Sequence, residues 1–334
     1  MARLSGIMRV LAAAVLCLPG PGRAQSFGVA GSPVETIEDR DYLRLFTALK
    51  SNGIDTYFPT FQYQEVPHAS SLGYEIDFMP PCTPGDPAFA ALRASGMTLL
   101  LPGELLYPDA AALRQLPMDE DPLRQVLSCA GPEHVAAITT YDEAIFNGRP
   151  IEDVAAFYAR VKAVAPELPV LMVHAPILTD DPTFKTLDQI QRYLKEVTDY
   201  SAHADAVGFD IYPVPADLSN LATPVSGGAV VAEDRAVADY LSWLEDAVPA
   251  RQRLVVLQGF GYADLYESKF LEASFPAEVI NAARAPTGKE TDLMVSQAIS
   301  AGAEWVIWWG PSLLKETGSA PWQTILDIAG RSHN

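Results

Sequence analysis

Ala136-Ala137-Ile138-Thr139-Thr140-Tyr141-Asp142-Glu143-Ala144-Ile145-Phe146-Asn147 begins as a short apolar, β-branched run and ends in two adjacent carboxylates. The first half reads as a buried parallel strand. A helix pattern follows at once, from Ile151-Glu152-Asp153 to Ala165. A strand that breaks into acids just before its helix marks the catalytic edge of a parallel α/β protein, because the carboxyl ends of the strands form the open, ligand-facing rim. The bland alternative is that Asp142 and Glu143 only cap the helix or pair with a rim arginine.

Strand-helix units of the same kind lie on both sides. Strands are expected at Phe27–Gly31, Ile54–Phe61, Met97–Pro102, Pro169–His174, Ala206–Tyr212, Arg253–Gln258 and Trp305–Trp309. Helices are expected over 37–50, 88–95, 109–127, 187–203, 232–247, 290–301 and 322–329. Eight such units in series predict an α/β protein of the (β/α)8 TIM-barrel class, a single domain over residues 25–334. No G-x-G-x-x-G or G-x-x-x-x-G-K-[ST] follows the first strand, so a dinucleotide or P-loop fold has no support. No linker, low-complexity tract or charge block divides the chain.

Residues 1–24 read as a signal peptide. Arg3 and Arg9 supply a positive start, Val10–Leu18 is apolar but too short to span a bilayer, and Gly22-Arg23-Ala24 is a small-x-small cleavage site. A secreted or periplasmic protein without membrane insertion is expected. Loss of Arg3, Arg9 and Arg23 would take the net charge from −19 to −22. Such a surface repels nucleic acid and anionic membranes, and it makes a strongly acidic polymer an awkward substrate. Cys17 leaves with the signal, and Cys82 and Cys129 remain as a candidate disulfide. No His-x-His or Cys-x-x-Cys occurs, so no metal centre or other cofactor is expected. Oligomeric state is not encoded in any pattern found.

On the barrel reading, the carboxyl ends of the strands form the rim. Strand two ends toward Tyr57, Thr60, Gln62, Tyr63 and Glu65, and strand three toward Glu104 and Tyr107. Strand four gives Tyr141, Asp142 and Glu143, strand five His174, and strand six Asp210 and Tyr212. Strand seven gives Gln258, Phe260 and Tyr262, and strand eight Trp308 and Trp309. Recurrent carboxylates can divide acid and base work when their surroundings separate their pKa values. Flat aromatic faces suit the C–H faces of sugar rings. Of Trp308 and Trp309, one is expected to face the mouth, because adjacent strand residues point opposite ways. Trp305, Trp243 and Trp322 read as packing. The lysines fall in helices or loops, which disfavours a Schiff-base aldolase, and no G-x-S-x-G is present.

Tyr141-Asp142-Glu143-Ala144, the helix that follows and Pro166-Glu167-Leu168-Pro169-Val170 resemble a segment of secreted barrel proteins of the glycoside hydrolase superfamily. There the fourth strand ends in Asp-Glu-Pro, its helix carries a Tyr and a Lys, and a D-P-x-x-P turn leads to the fifth strand. Tyr158 and Lys162 match the helix, and Pro166 and Pro169 match the turn; Ala144 and Ala165 depart from it. Asp205 to Pro213 is similar to the D-x-x-x-x-D-x-Y-P sixth strand of those proteins, and Trp308-Trp309-Gly310 fits their eighth. The resemblance covers the fourth to eighth units.

It implies cleavage of glycosidic bonds in an oligo- or polysaccharide. In the retaining clan with this fold, an acid/base Glu ends strand four and a nucleophilic Glu ends strand seven. Glu143 matches the first position, but Gln258 stands at the second. Three arrangements stay open. Asp210 or Glu104 supplies the second carboxylate, Asp142 is the nucleophile with Asp210 as acid, or the barrel binds glycan without cutting it. A polysaccharide lyase or esterase using His174 and a tyrosine is a further alternative. The reading carried forward has Glu143 as general acid, Asp210 as its partner and Asp142 beside them. Glu104, Tyr141, His174, Tyr212, Gln258, Trp308, Trp309 and Tyr63 contact substrate or orient the acids.

Overall fold

The computed structural model describes residues 25–31, 40–59, 77–226, 234–264, 276–310 and 320–332. Tyr63 and the expected signal peptide lie outside them. Eight parallel strands form a closed barrel: β1 (Ser26–Ala30), β2 (Thr56–Phe58), β3 (Thr98–Pro102), β4 (Val135–Thr139), β5 (Val170–His174), β6 (Ala206–Ile211), β7 (Gln252–Gln258) and β8 (Trp305–Trp309). Each strand pairs with its neighbours in sequence, and β8 closes on β1 with Phe27 opposite Val306 and Gly28 opposite Ile307. The chain is therefore a (β/α)8 barrel, as its eight apolar runs predict. The second strand is shorter than expected: Ile54 and Asp55 precede the ladder, which ends at Phe58.

The strands are apolar throughout because both faces are covered. Leu100, Leu171, Leu254, Val256, Trp305 and Ile307 fill the barrel interior. Their alternates, among them Phe27, Leu99, Leu101, Met172, Phe209, Leu257 and Trp308, pack outward on the helices. This two-residue alternation decides which strand-end side chains can reach the mouth. Gly208 sets one part of that geometry. A Cβ there would come within 2.0 Å of the Leu254 carbonyl oxygen on β7, so only glycine lets β6 approach closely two residues before Asp210.

The Tyr158, Lys162 and Asp205 pattern has a mechanical role at the opposite end. Lys162 Nζ lies 2.7 Å from Asp205 Oδ2 and donates to the Leu168 carbonyl at 2.8 Å. The Tyr158 hydroxyl and the Val170 N–H also donate to the Asp205 carboxylate, at 3.1 and 2.8 Å. The helix Ile151–Val164 is thereby tied to the starts of β5 and β6. Cys82 and Cys129 form a disulfide, with Cα atoms 6.2 Å apart. It joins the segment before helix Pro87–Ser95 to helix Pro122–Ala130. No helix among the described residues is long and apolar enough to cross a membrane.

Candidate active site

A cavity of about 290 Å³ opens at the carboxyl ends of the strands. That volume is at the small end of the ~300–1,000 Å³ usual for ligand sites. Four carboxylates line it: Glu104 after β3, Asp142 and Glu143 after β4, and Asp210 from β6. Asp142 and Glu143 are consecutive, and on a regular strand they would diverge. Glu143 instead has φ of +40°, in the left-handed region that side-chain-bearing residues seldom occupy. The chain turns sharply there, and both acids line the same cavity. Asn147 Nδ2 supports the turn by donating to the Asp142 carbonyl at 2.9 Å. Such local strain is tolerated where the surrounding structure holds it, and it concentrates at functional sites.

The carboxyls of Glu143 and Asp210 line the same cavity and act on each other's ionisation. Two such neighbouring carboxylates cannot both ionise cheaply, so one proton is retained by the pair near neutral pH. Burial and the charge of Asp142 lift Glu143 to about 7. Burial, then the charges of Glu143 and Asp142, raise Asp210 well above the ordinary carboxylate range. Asp210 Oδ1 is buried and has no hydrogen-bond partner among the described residues. Glu104 is raised by burial and by Asp142, although its Oε2 accepts the Asp142 backbone N–H at 3.4 Å. Asp142 lines the cavity, and desolvation raises it.

Aromatic side chains line the same cavity. Tyr212 and Trp309 are stacked, with centroids 5.7 Å apart at 25°. Phe260 stands edge-on to both, at 5.0 and 5.3 Å. The Tyr262 hydroxyl fixes the Tyr212 backbone through a 2.8 Å bond to its carbonyl. Tyr141 also lines the cavity, under the Arg149 guanidinium at 4.2 Å.

Three expected contacts do not line it. His174 is the outward residue of β5 and lies between sheet and helix, 1% exposed, with Nε2 3.2 Å from Ser201 Oγ. Burial pushes its imidazole down to about 3. It neither touches the mouth nor orients a rim acid. Trp308 is fully buried on the outer face, stacked on Phe27 at 5.7 Å, whereas Trp309 faces the mouth. Gln258 points inward but is spent on backbone: Oε1 accepts the Val214 N–H at 2.9 Å, and Nε2 donates to the Val214 and Phe260 carbonyls at 2.6 and 3.0 Å. Among the described residues, β7 therefore offers the cavity Val256 and no carboxylate. Tyr107 is likewise buried, with its hydroxyl on Asp121 at 2.6 Å. The sequence reading missed Phe58, Val173 and Val256 in the floor, and Arg149 beside Tyr141. Of these, Val256 lies two residues before Gln258 and shares its face of β7.

No family model and no curated protein matches this sequence. Solved structures do match. One, provisionally assigned as an alpha-L-fucosidase from Bacteroides thetaiotaomicron VPI-5482, is 13% identical with a TM-score of 0.55, covering 98% of both chains. A beta-galactosidase from the psychrophilic Marinomonas ef1 is 10% identical with a TM-score of 0.54, over 92% of this chain and 59% of the other. The hyperthermostable endo-1,4-beta-D-mannanase of Thermotoga petrophila RKU-1 is 11% identical with a TM-score of 0.51, over 91% and 99%. At these identities the likeness is one of fold.

Proposed function

We propose that the chain is an exported glycoside hydrolase that cleaves an oligo- or polysaccharide by carboxylate acid/base catalysis. The observation that carries this reading is the gathering of Glu143, Asp210, Asp142 and Glu104 in one cavity that Tyr212 and Trp309 also line. A glycosidic oxygen must be protonated as it leaves, and near neutral pH that requires a carboxylic acid held well above its ordinary pKa. Glu143, at about 7, meets the requirement. Asp210 keeps the proton at hand and returns it after turnover.

The solved barrel structures that match, glycosidases by their descriptions, agree with a carbohydrate substrate. Export rests on the Arg3-to-Ala24 leader pattern.

A second reading, glycan binding without cleavage, is favoured by one feature: the mouth of β7 carries Val256 and the occupied amide of Gln258. A panel of polysaccharides and aryl glycosides, assayed with the wild-type chain, Glu143→Gln and Asp210→Asn, decides between them. Cleavage that both substitutions abolish in folded protein supports hydrolysis, and the anomer of the first-formed product separates inversion from retention. Binding without cleavage across the panel removes the enzyme reading.

A further inference from the structure

We infer that a second cavity, beside the mouth, is a sugar site that takes outlying units of the glycan whose bond is cleaved at Glu143. The inference rests on the glycosidase reading for the kind of chain bound, and it adds where the rest of that chain lies.

The second cavity has a volume of about 260 Å³, close to the 290 Å³ of the mouth, so the two suit units of similar size. It is formed by the turn after β4, through Ile145 and Phe146, and by the segment after β5, through Thr183, Phe184 and the first turns of helix Leu187–Ser201. Both elements follow the carboxyl ends of strands, so this cavity stands at the same end of the barrel as the catalytic one. One turn serves both. Glu143 lines the first cavity, and Phe146, three residues on, lines the second. The Asn147 N–H donates to the Glu143 carbonyl at 2.9 Å, and the Arg149 N–H donates to the Ala144 carbonyl at 2.8 Å. The turn is thus a single hydrogen-bonded unit that carries the acid and an aromatic ring of the second cavity. Tyr193 also lines that cavity. Its hydroxyl is raised by burial and by Tyr240, and then by the charges of Asp210 and Glu143, which places it within reach of the acids.

The chemistry of the lining suits a neutral polyhydroxyl ring. Phe146 is 44% exposed, while Phe184 and Tyr193 are buried and meet edge to face at 5.0 Å. Arg192 and Glu196 lie one turn apart on the same helix face, and both line the cavity. Two other basic–acidic pairs of the same order and spacing close into ion pairs, Lys195 with Asp199 at 2.5 Å and Arg235 with Asp239 at 3.0 Å. Arg192 and Glu196 form no ion pair or side-chain hydrogen bond, with each other or with any other described residue. A fork of donors and a carboxylate acceptor are therefore left for a ligand. A strongly charged ligand would be drawn to one and repelled by the other. Adjacent sugar hydroxyls satisfy both, accepting from the guanidinium and donating to the carboxylate, with the C–H face of the ring on Phe146.

The test is calorimetric titration of the full chain, with Glu143→Gln as background so that no probe is cut. The probes are gluco-, galacto- and manno-oligosaccharides of one to six units. In the series that binds, affinity should step up about ten-fold once the oligomer is long enough to reach both cavities. Phe146→Ala and Arg192→Gln should each remove that step, so that long and short oligomers bind alike. Affinity that stays flat with length overturns the inference, as does a step that survives both substitutions or failure of every oligomer to bind. The length series needs neither of these substitutions, and the two residues lie on separate elements, so one poorly folding variant leaves the test intact. The same series is then assayed for cleavage by the wild-type chain. Cleavage with an affinity that is flat with length keeps the glycosidase reading and removes this one. A step that the substitutions remove, with no cleavage, does the reverse.

Discussion

Glu143 and Asp210, which lie far apart in sequence, meet in one cavity at the barrel mouth, where each acts on the other's ionisation. This interaction has a measurable signature in stability. Glu143 is raised from 4.5 to about 7 by burial and by the charge of Asp142. Between those values the folded chain holds a proton that the unfolded chain has released, so stability falls as pH rises through the window and levels off above it. Glu143→Gln removes that term. The variant should exceed the wild type by about 1–2 kcal/mol above pH 7, after allowance for solvent screening, and the gain should vanish near pH 4. Denaturant unfolding at the two pH values measures it. The same substitution should cost about a hundred-fold or more in turnover, and the wild-type rate should fall on the alkaline side of about pH 7.

Trp308 and Trp309 are neighbours with opposite assignments. Trp308 is 0% exposed and packs on Phe27 in the outer core, and Trp309 stacks on Tyr212 at the mouth. Trp308→Ala should cost about 3–5 kcal/mol of stability while the folded fraction keeps its affinity for glycan. Trp309→Ala should weaken glycan binding about ten-fold or more with a much smaller loss of stability. Melting curves and glycan titrations of the two variants make the comparison; a matched loss in both assays for both variants would remove the division of faces.

The barrel is legible in the sequence because each strand is a short apolar run bounded by turn residues, as at Trp305–Trp309, whose limits the structure reproduces. The four rim acids are legible because carboxylates at strand ends are costly to place for packing alone. Their convergence is not. The meeting of Glu143 and Asp210 in one cavity depends on the +40° φ at Glu143 and on the close approach of β6 to β7 at Gly208, and no local pattern announces either. His174 and Gln258 escape the sequence for a different reason. A polar residue at a strand end can point to either layer, as His174 does, and the inward amide of Gln258 is taken up by the Val214 and Phe260 backbone, which no local pattern announces.

His174 supplies a prediction of opposite sign. The Ser201 hydroxyl donates its proton to the Val197 carbonyl at 2.6 Å, so His174 Nε2–H must donate to Ser201, which leaves Nδ1 unprotonated and without a partner among the described residues. Protonation would bury a second N–H with no acceptor, and burial holds the imidazole at about 3. Below its unfolded value of about 6.5 the unfolded chain binds a proton that the folded chain refuses, so this group lowers stability as pH falls from there toward 3. From pH 7 to pH 5 its share is about 2 kcal/mol. His174→Leu should flatten that acid limb and leave glycan cleavage at pH 7 unchanged. A wild-type limb in the variant, or a lost activity in folded protein, would contradict the placement of His174 outside the site.

Gln258 is the residue to change if the missing strand-seven carboxylate is thought to be the only obstacle to a retaining mechanism. Its side-chain oxygen accepts from the Val214 N–H, a role that a glutamate at this position could inherit. Its amide hydrogens, however, reach the Val214 and Phe260 carbonyls at 2.6 and 3.0 Å. A carboxylate there would press a lone pair against two carbonyl oxygens in a position that is 1% exposed. Gln258→Glu should therefore cost about 2–4 kcal/mol and should either hold its proton or expel the segment around Val214. It should not gain turnover on aryl glycosides, because the β7 side chain that faces the cavity is Val256. Unfolding curves and an aryl glycoside assay on the variant settle the point, and a stable variant with new retaining activity would show that the amide's backbone bonds are dispensable.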